Sequence, residues 1–322
     1  SFSKTDGYIL FRRYCPHANF IPEDLYNDWL ENIYCYGVSD YDQPTLIEEA
    51  KDLYISLITL GIRVEEQQWI PANDFKNMLG IIQPISYILS QFSSEYFFPY
   101  LFLCRIFELN KIADFFNIDL PNIPKRTDYK GRCMYYWKLC EVFYLFRKKN
   151  GLSPEELWPF LYDFAPNNLP NEKTDMPKPS QAWFIGGRLY QEDKSLESKF
   201  WQSSPETKKG DILVHYETSP ISAITCIETS LTDGVIDPLF RYYGCIYIGN
   251  RINIPYITLK ELQVNEYFSK HPLIRKSFQG VNGWPMSSKD YSELLRMIKA
   301  KGFDTETLPK LYAPCLLYTS PS

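Results

Sequence analysis

The sequence of 322 residues predicts an α+β protein, with an all-α helical domain in its first half and a β-barrel with short flanking helices in its second half. From about residue 20 to residue 165, apolar residues recur at the spacing of helix faces. After residue 181 the pattern changes to short β-branched and aromatic runs separated by Gly and Pro. Residues 166–181, between the two halves, are rich in Pro and Asn, which is typical of an extended linker.

The first half, residues 1–165, is predicted to be a bundle of about six helices. Pro121 and Pro124 interrupt it, because proline lacks an amide donor and restricts the residue before it. The predicted helices are, in order, one that begins at Ile21 and ends before Gly37, one over Thr45–Leu60, one or two over 73–92 with a break at Pro84, one over Tyr96–Phe116, one from Cys133 to Asn150, and one that begins at Ser153.

Two of these helices carry strong end signals. Arg147, Lys148 and Lys149 place positive charge in a last turn, where it complements the helix dipole, and Gly151 suits the position after the helix. Ser153-Pro154-Glu155-Glu156 is a capping box with proline at the first helical position. We therefore expect one helix to end and the next to begin within a few residues.

The second half is predicted to form one domain over 182–302, followed by a tail over 303–322. Lys208–Asp211 makes a turn into an apolar strand, and Thr258–Glu261 has the pattern of a helix start. The predicted elements are strands over Ala182–Gly186, Ile212–Tyr216, Ile221–Ile227, Tyr242–Gly249 and Ile252–Pro255, a polar helix over Glu192–Phe200 that is broken at Trp201–Pro205, a short helix from Thr258, and a last helix over Ser288–Lys301.

Composition narrows the possible functions. The formal net charge of −5 argues against a nucleic-acid footprint over the whole protein, although a local basic patch is compatible with it. The three histidines, His17, His215 and His271, are scattered and the eight cysteines lack metal-ligand spacing, so we expect no metal and no cofactor. No apolar run reaches the roughly 18 residues that span a bilayer, so no membrane partner is expected. Reduced cysteines and the lack of a recognisable signal peptide favour a cytoplasmic protein.

Both ends of the chain carry expectations of their own. The chain begins at Ser1 rather than at Met, so we expect a fragment of a longer protein. The last eight residues, Cys315–Ser322, look more like a translated sequencing-adapter read-through than a protein terminus. They are therefore left out of the fold prediction.

The second half contains several short motifs in a recognisable order. They are the strand of Trp183, then Phe200-Trp201-Gln202-Ser203, Lys209-Gly210-Asp211 with the strand to Tyr216, Ile224–Ile227, Ile257–Leu262, Phe278-Gln279-Gly280 and a last helix that begins with Ser288. Over residues 182–300 this order resembles an EVE domain, a member of the PUA-like superfamily that is related to YTH domains. The specificity lies in the order, because each motif alone is common.

The resemblance implies a nucleic-acid partner, DNA or RNA, that presents a flipped and modified base to an aromatic pocket, as in a prokaryotic restriction or defence protein. Pulling a base from its stack costs a few kcal/mol, which stacking and hydrogen bonds in a closed pocket must offset. The residues that it suggests for base binding are Trp201, Gln202, Ser203, Tyr216, Gly186 and Gly187, and the further aromatic candidates are Trp183 and Trp284. The basic candidates for phosphate binding are Arg188, Lys208, Lys209, Arg241 and Arg251. Trp183 is better explained as a core residue and Trp284 as a cover over the end of the barrel, and Trp201 is explained equally well as a core residue or as a pocket wall.

Two further hypotheses belong to other classes of protein. The chain is an enzyme such as a nuclease if its first half, or a missing domain, brings carboxylates together with a Lys or a His pair. Asp128, Glu155, Glu156 and Asp163 show no such spacing, so the sequence favours a protein without catalysis. Alternatively, the helical half binds a partner protein and the chain is an adaptor, for which an exposed apolar groove would be the evidence.

Overall fold

A computed structural model describes residues 23, 24, 27, 44–60, 62–63, 68–69, 75–103, 105–169, 176–188, 199–239, 242 and 244–311. The chain divides into two compact units. Unit 1 comprises Ser1–Asn171 together with Asp237–Tyr242, and unit 2 comprises Glu172–Ile236 and Tyr243–Ser322. The fold is mixed α+β, with helices in the first half and a curled sheet, a half-barrel, in the second.

Unit 1 is built from helices and one very short pair of antiparallel strands. That pair corrects the prediction of an all-α domain. In its backbone register, Ile62 pairs with Trp69 and Arg63 pairs with Gln68. The described elements are α1 (Ile47–Leu60), β1 (Ile62–Arg63), β2 (Gln68–Trp69), α2 (Phe75–Met78), a 3₁₀ turn (Leu79–Ile81), α3 (Ile82–Phe92), α4 (Ile106–Phe116), α5 (Tyr129–Asn150), α6 (Pro154–Pro159), a π turn (Phe160–Phe164) and α7 (Ala165–Asn168).

Two predicted helices of unit 1 differ from the structure. The helix predicted over Tyr96–Phe116 begins only at Ile106, because Pro99 disfavours the helical conformation for the residue before it. Pro84 does not break a helix, since it lies in the first turn of α3, where the amide that it lacks needs no partner within the helix. Most of the helix predicted between Ile21 and Gly37 lies outside the described residues.

The end signals of α5 and α6 are confirmed. The side chain of Asp128 accepts a hydrogen bond from the amide of Gly131 at 2.8 Å and so caps α5. Gly151, at a φ of 67°, ends that helix in the left-handed conformation that glycine adopts without steric cost. Ser153 and Glu156 form the predicted capping box at the start of α6. Local sequence therefore fixes this corner of unit 1.

The segment Asp237–Tyr242 follows the strands of unit 2 in sequence but belongs to unit 1. Arg132 donates from Nε to the carbonyl of Pro238 at 2.8 Å, and its guanidinium lies 5.1 Å from the centre of the Tyr242 ring. The Tyr242 hydroxyl donates to the carbonyl of Pro124 at 2.7 Å. These contacts anchor the segment to the start of α5 and the loop before it.

Within the described residues, unit 2 holds a seven-stranded sheet. The elements of this unit are β3 (Ala182–Gly187), β4 (Lys199–Ser203), β5 (Ile212–Glu217), β6 (Ala223–Ser230), β7 (Val235–Ile236), β8 (Gly244–Thr258), α8 (Leu259–Val264), α9 (Pro272–Arg275), β9 (Trp284–Met286) and α10 (Ser288–Ala300). The strand order in the sheet is β4-β8-β6-β5-β3-β9, with β7 paired to β8. β3 and β5 run parallel, and the other neighbouring strands are antiparallel.

Two predicted elements of unit 2 are also corrected. Lys199 and Phe200, predicted to end a polar helix, belong to β4. The two strands predicted over Tyr242–Gly249 and Ile252–Pro255 are one strand, β8, because the polar residues between them form a bulge and not a turn. Asn250 carries the bulge with a φ of 51°.

The bulge at Asn250 reverses which residues of β8 face which side of the sheet. Before it, Ile246 and Ile248 pack with Trp183 and Leu213. After it, Ile252 and Ile254 face the core that α8, α9 and α10 form against the sheet, and a second register shift, opposite the stretch between Ile224 and Cys226, brings Ile257 to the same core. Side chains alternate along a strand, so the bulge turns Arg251 away from the helices.

The face of the sheet opposite the helices is called here the inner face, and its apolar residues are Trp183, Ile185, Leu213, Ile246 and Ile248. Strands β4 and β3 are four steps apart in the sheet, which in a flat sheet would separate them by about 19 Å. Nevertheless, a Cβ on Gly187 would lie only 2.6 Å from Cζ2 of Trp201. The sheet therefore curls and brings its β4 edge over the inner face.

A buried carboxylate fixes the start of β3 and β5. Oδ1 of Asp211 accepts hydrogen bonds from the amides of Ser180 and Gln181 and from the Ser180 hydroxyl. Oδ2 accepts from the indole of Trp183 and from the amide of Lys208 at 2.9 Å each. Asp211 is fully buried, so these donors depend on its carboxylate as their acceptor and not on bulk water. The Lys-Gly-Asp turn thus has a structural role.

Candidate functional site on the inner face

Three charged or ionisable side chains meet on the inner face: His215 of β5, Glu228 of β6 and Arg251 of β8. Nδ1 of His215 lies 3.0 Å from Oε2 of Glu228. Arg251 donates from Nε and Nη2 to the other oxygen, Oε1, at 2.7 Å each. The side chains of His215 and Glu228 are 0% and 2% exposed, and that of Arg251 is 30% exposed. We refer to these three residues as the buried triad.

The strand register brings the buried triad together. His215 lies opposite Cys226 in the β5–β6 pair, which places Glu228, two residues further on, on the same face. The β8 bulge then directs Arg251 to that face as well. The three residues are widely separated in sequence, so none of them has a local motif.

Burial and the short contacts within the triad shift the pKa values of Glu228 and Arg251. Burial alone would raise the pKa of Glu228, but the hydrogen bond from His215 and the charge of Arg251 lower it below its ordinary value. Burial disfavours the charge of Arg251, yet the neighbouring Glu228 carboxylate raises the Arg251 pKa. The pair is therefore ionised, and its charges balance.

Trp201 covers His215. The two ring centres are 4.7 Å apart and the rings are inclined by 63°, an edge-to-face contact. The indole Nε1 of Trp201 lies 3.3 Å from Oδ1 of Asn282, which also accepts the amide of Gly186 at 2.8 Å. Trp201 is half-buried, so the site consists of a partly exposed aromatic ring, two fully buried polar groups, His215 and Glu228, and the partly exposed Arg251.

A metal is a possible reading of the same cluster. Ligand atoms of His215, Cys226 and Glu228 lie within 4.8 Å of one another. However, burial raises the pKa of the Cys226 thiol to about 12, so the thiolate that binds metals is disfavoured. Both oxygens of Glu228 are already engaged, one of them with a cation. The chemistry of the donor set therefore fits a hydrogen-bonding site better than a metal centre.

The predicted base-binding residues fall on different sides of the sheet. Trp201, Gly187 and Trp183 come together on the inner face, although the 5% exposed Trp183 is a core residue held by Asp211. Ser203, two residues after Trp201, is buried, and its hydroxyl oxygen lies 2.8 Å from the hydroxyl oxygen of Thr207. Gln202, between Trp201 and Ser203, is half-buried.

Tyr216, Trp284 and Gly186 belong to the side of the sheet that the helices cover, because alternate residues of a strand face opposite ways. Tyr216 is 4% exposed and stacks on Phe278 with ring centres 3.8 Å apart. Trp284 packs against the same core, and a Cβ on Gly186 would meet Val281 there. The side chains of Tyr216 and Trp284 therefore pack in the helix-side core and not with Trp201, whereas the amide of Gly186 shares the acceptor Asn282 with the Trp201 indole.

Most of the residues predicted to bind phosphate either contact an acidic residue or are exposed. Arg251 is bound to Glu228. Lys208 lies 3.8 Å from Asp233, both about 60% exposed, and the amide of Lys209 donates to the same carboxylate. Arg188 is exposed just after β3, and Arg241 lies outside the described residues.

The carboxylates considered for catalysis in the helical half have structural roles. Asp128 caps α5, Glu156 completes the capping box of α6, and Asp163 accepts a hydrogen bond from Asn167 at 2.9 Å.

Unit 1 also carries an open groove of about 670 Å³. It is lined by Ser90, Gln91, Ser94, Leu101, Pro154, Glu155, Trp158, Pro159, Tyr162 and Asp163. The protein partner predicted for this half stays a prediction.

Comparisons with known proteins leave the function open. No protein-family model matches the chain, and no curated protein matches it. The NMR structure of Rpa0253 from Rhodopseudomonas palustris is 13% identical, with a TM-score of 0.32, and the match covers 37% of this chain and 94% of that one. The crystal structure of Atu2648 from Agrobacterium tumefaciens is 16% identical, with a TM-score of 0.34, over 41% and 99% of the two chains. At these TM-scores neither structure supports an argument. In the part of the chain that the structure describes, no helix is both long and apolar enough to cross a membrane.

Sequence reasoning missed most of the buried triad. His215 is one of three histidines scattered in the sequence, and Glu228 lies just after the strand predicted to end at Ile227. A signal is nevertheless present in both cases: His215 shares a strand face with the apolar Leu213, and Glu228 is the one charged residue of β6. Buried charges are rare unless they are paired, so each pointed to a partner.

Proposed function

We propose that unit 2 binds nucleic acid by taking a single modified base beside Trp201, at the inner face of a PUA-like half-barrel. The observation that supports this proposal is the half-buried Trp201 ring above the buried triad. A base in such a place would stack on an aromatic surface and meet polar groups at its edge. Stacking of this kind contributes about 1–3 kcal/mol for each base, which offsets much of the few kcal/mol needed to flip it.

The energetics of the buried triad favour a binding role over a purely structural one. Apolar residues of similar volume usually stabilise a fold as well as a buried ion pair does, or better. Buried and polarised groups that lie next to a partly open aromatic ring are a common feature of ligand sites. The exposed Arg188 and Lys208 and the half-buried Lys209 would then meet the nucleic-acid backbone around the site. We propose a cytoplasmic location, in keeping with the buried thiols of Cys133, Cys140 and Cys226.

The test is a titration followed by fluorescence anisotropy. Labelled single-stranded and duplex DNA and RNA oligonucleotides carry one methylated base or its unmodified counterpart. We expect Trp201→Ala to weaken binding of the preferred oligonucleotide about 5- to 150-fold, which corresponds to the loss of one stacking contact. Trp201→Phe should retain most of the affinity, because it keeps an aromatic surface.

Trp158→Ala is the matched control, since Trp158 is also a partly buried tryptophan but belongs to unit 1. The affinity of Trp158→Ala for each oligonucleotide should equal that of the wild type. Equal affinities of the wild type and a folded Trp201→Ala for every oligonucleotide would refute the proposed function. Equal loss in Trp158→Ala and Trp201→Ala would also refute the assignment of the site.

A further inference from the structure

The imidazole of His215 has one ring nitrogen in use and one without a partner. Nδ1 contacts Glu228 at 3.0 Å, and the side chain is 0% exposed. Within the described part of the chain, Nε2 is buried and has no hydrogen-bond partner. Buried polar atoms are almost always satisfied, so an exception in a folded protein needs an explanation.

The neighbours of His215 determine which nitrogen carries the proton. The Glu228 carboxylate can only accept, so Nδ1 must be the N–H that donates to it. Arg251 already balances the charge of Glu228, and a second buried cation on the same carboxylate would leave a net positive charge in the interior. In the tautomer with hydrogen on Nδ1 alone, Nε2 keeps a lone pair and acts as an acceptor, and we base the inference on this tautomer.

The position of Nε2 connects it to the proposed site. The two nitrogens lie on different sides of the imidazole ring, so Nε2 faces away from Glu228. Trp201 packs on this ring with centres 4.7 Å apart, and its own indole is partly exposed. A hydrogen bond to this buried nitrogen requires that a planar ligand stacked on Trp201 brings its edge to it.

We propose that Nε2 of His215 accepts a hydrogen bond from the exocyclic amino group of the bound base, so that the site selects adenine, cytosine or guanine derivatives that keep an amino N–H. This inference rests on the proposed function and names its substrate class. An exocyclic amino group projects beyond the ring, and so it can reach a buried atom. A base without this donor leaves Nε2 unpaired, and a carbonyl in its place sets two acceptors against each other. Glu228 and Arg251 are positioning residues, because they fix the tautomer and the orientation of the imidazole.

The experiment uses the full chain and pairs of labelled oligonucleotides that differ by one amino group. The pairs are adenine against purine, guanine against hypoxanthine, and cytosine against 2-pyrimidinone. We expect the wild type to prefer the amino-bearing member of at least one pair by about 10- to 100-fold. In His215→Phe the preference should fall to about 2-fold or less, while weaker binding that still depends on Trp201 remains.

A second measurement does not depend on the folding of a variant. In the wild type labelled with ¹⁵N-histidine, the Nε2 resonance of His215 should show an unprotonated nitrogen, and it should shift with the amino-bearing oligonucleotide but not with its partner. His17→Gln and His271→Asn identify the ring-nitrogen resonances of the other two histidines.

Each outcome decides between the two proposals. Binding that depends on Trp201 but ignores the amino group, or a preference that survives in His215→Phe, overturns this inference and leaves the proposed function standing. No binding that depends on Trp201 for any oligonucleotide overturns the proposed function itself. An Nε2 resonance that moves with Zn²⁺ alone and not with any oligonucleotide overturns this inference in favour of a metal site.

Discussion

Replacing Arg251 with Met should destabilise unit 2 because it leaves a buried carboxylate without its cation. Glu228 is 2% exposed, and both hydrogen bonds to its Oε1 atom come from Arg251 at 2.7 Å. Loss of one partner of a fully buried ion pair costs about 3–5 kcal/mol. Arg251 itself is 30% exposed, so water screens part of this interaction. We therefore expect a loss of about 2–3 kcal/mol in the free energy of opening.

The same reasoning predicts that a second substitution restores much of this loss. Glu228→Gln alone places an amide N–H₂ against a donor, either Arg251 or His215, and should also cost about 2 kcal/mol. In the double variant the Gln oxygen accepts from His215, and no cation is left without a partner. The double variant should therefore cost about 1–2 kcal/mol, far below the sum of the single variants, which gives a coupling energy of about 2 kcal/mol or more.

Hydrogen exchange read by mass spectrometry is the suitable assay, because a chain of two units need not unfold in a single transition. Amides of β5, β6 and β8 should exchange about 30- to 150-fold faster in Arg251→Met, the change that corresponds to 2–3 kcal/mol. Arg296→Met is the matched control: Arg296 contacts Glu293 at 2.6 Å, but its side chain is 67% exposed, and such pairs contribute about 0–1 kcal/mol. Additive effects of the two triad substitutions, or equal effects of Arg251→Met and Arg296→Met, would refute the reasoning.

Two further predictions concern stability. The depressed pKa of Glu228 contributes stability above its ordinary value of 4.5 that is lost as the pH falls through the folded-state pKa. The stability advantage of the wild type over Glu228→Gln should thus shrink as the pH falls below about 4.5, measured by the same exchange assay, and a constant difference would contradict this account. Asp211→Ala should cost about 3 kcal/mol or more in the free energy of opening of unit 2, measured by the same exchange assay, because it leaves several buried donors unpaired, including the Trp183 indole. The exposed Asp233→Ala should cost less than about 1 kcal/mol, and similar costs for both would contradict the role given to Asp211.

The sequence predicted the elements whose causes are local. The end of α5 at Gly151 and the capping boxes of α6 and α8 each depend on residues within one helical turn. The helix predicted over Tyr96–Phe116 was wrong in its first half because an apolar run fits a helix and a buried loop equally well, and Pro99 was overlooked. The bulge at Asn250 was interpreted as a turn for a similar reason, since polar residues interrupt a strand in both cases.

The candidate site could be predicted only in part, because strand register and curl bring its residues together. Trp201 was selected from a resemblance, and its place beside Gly187 depends on the sheet curling through four strands. Tyr216 was assigned to the same pocket because it ends a neighbouring strand, yet the alternation of side chains sends it to the helix side, against Phe278. The pairing of His215 with Glu228 follows from the β5–β6 register, which no local pattern specifies.

The buried triad links the stability of unit 2 to its proposed function. Removing three polar side chains from water has a large desolvation cost, and apolar residues at the same positions would avoid it. The triad orients one nitrogen of His215, Nδ1, toward Glu228 and leaves the other without a partner. Partly satisfied buried networks are less favourable than an apolar core. Under the proposed function, a ligand that donates a hydrogen bond to Nε2 beside the half-buried Trp201 completes this network when it binds.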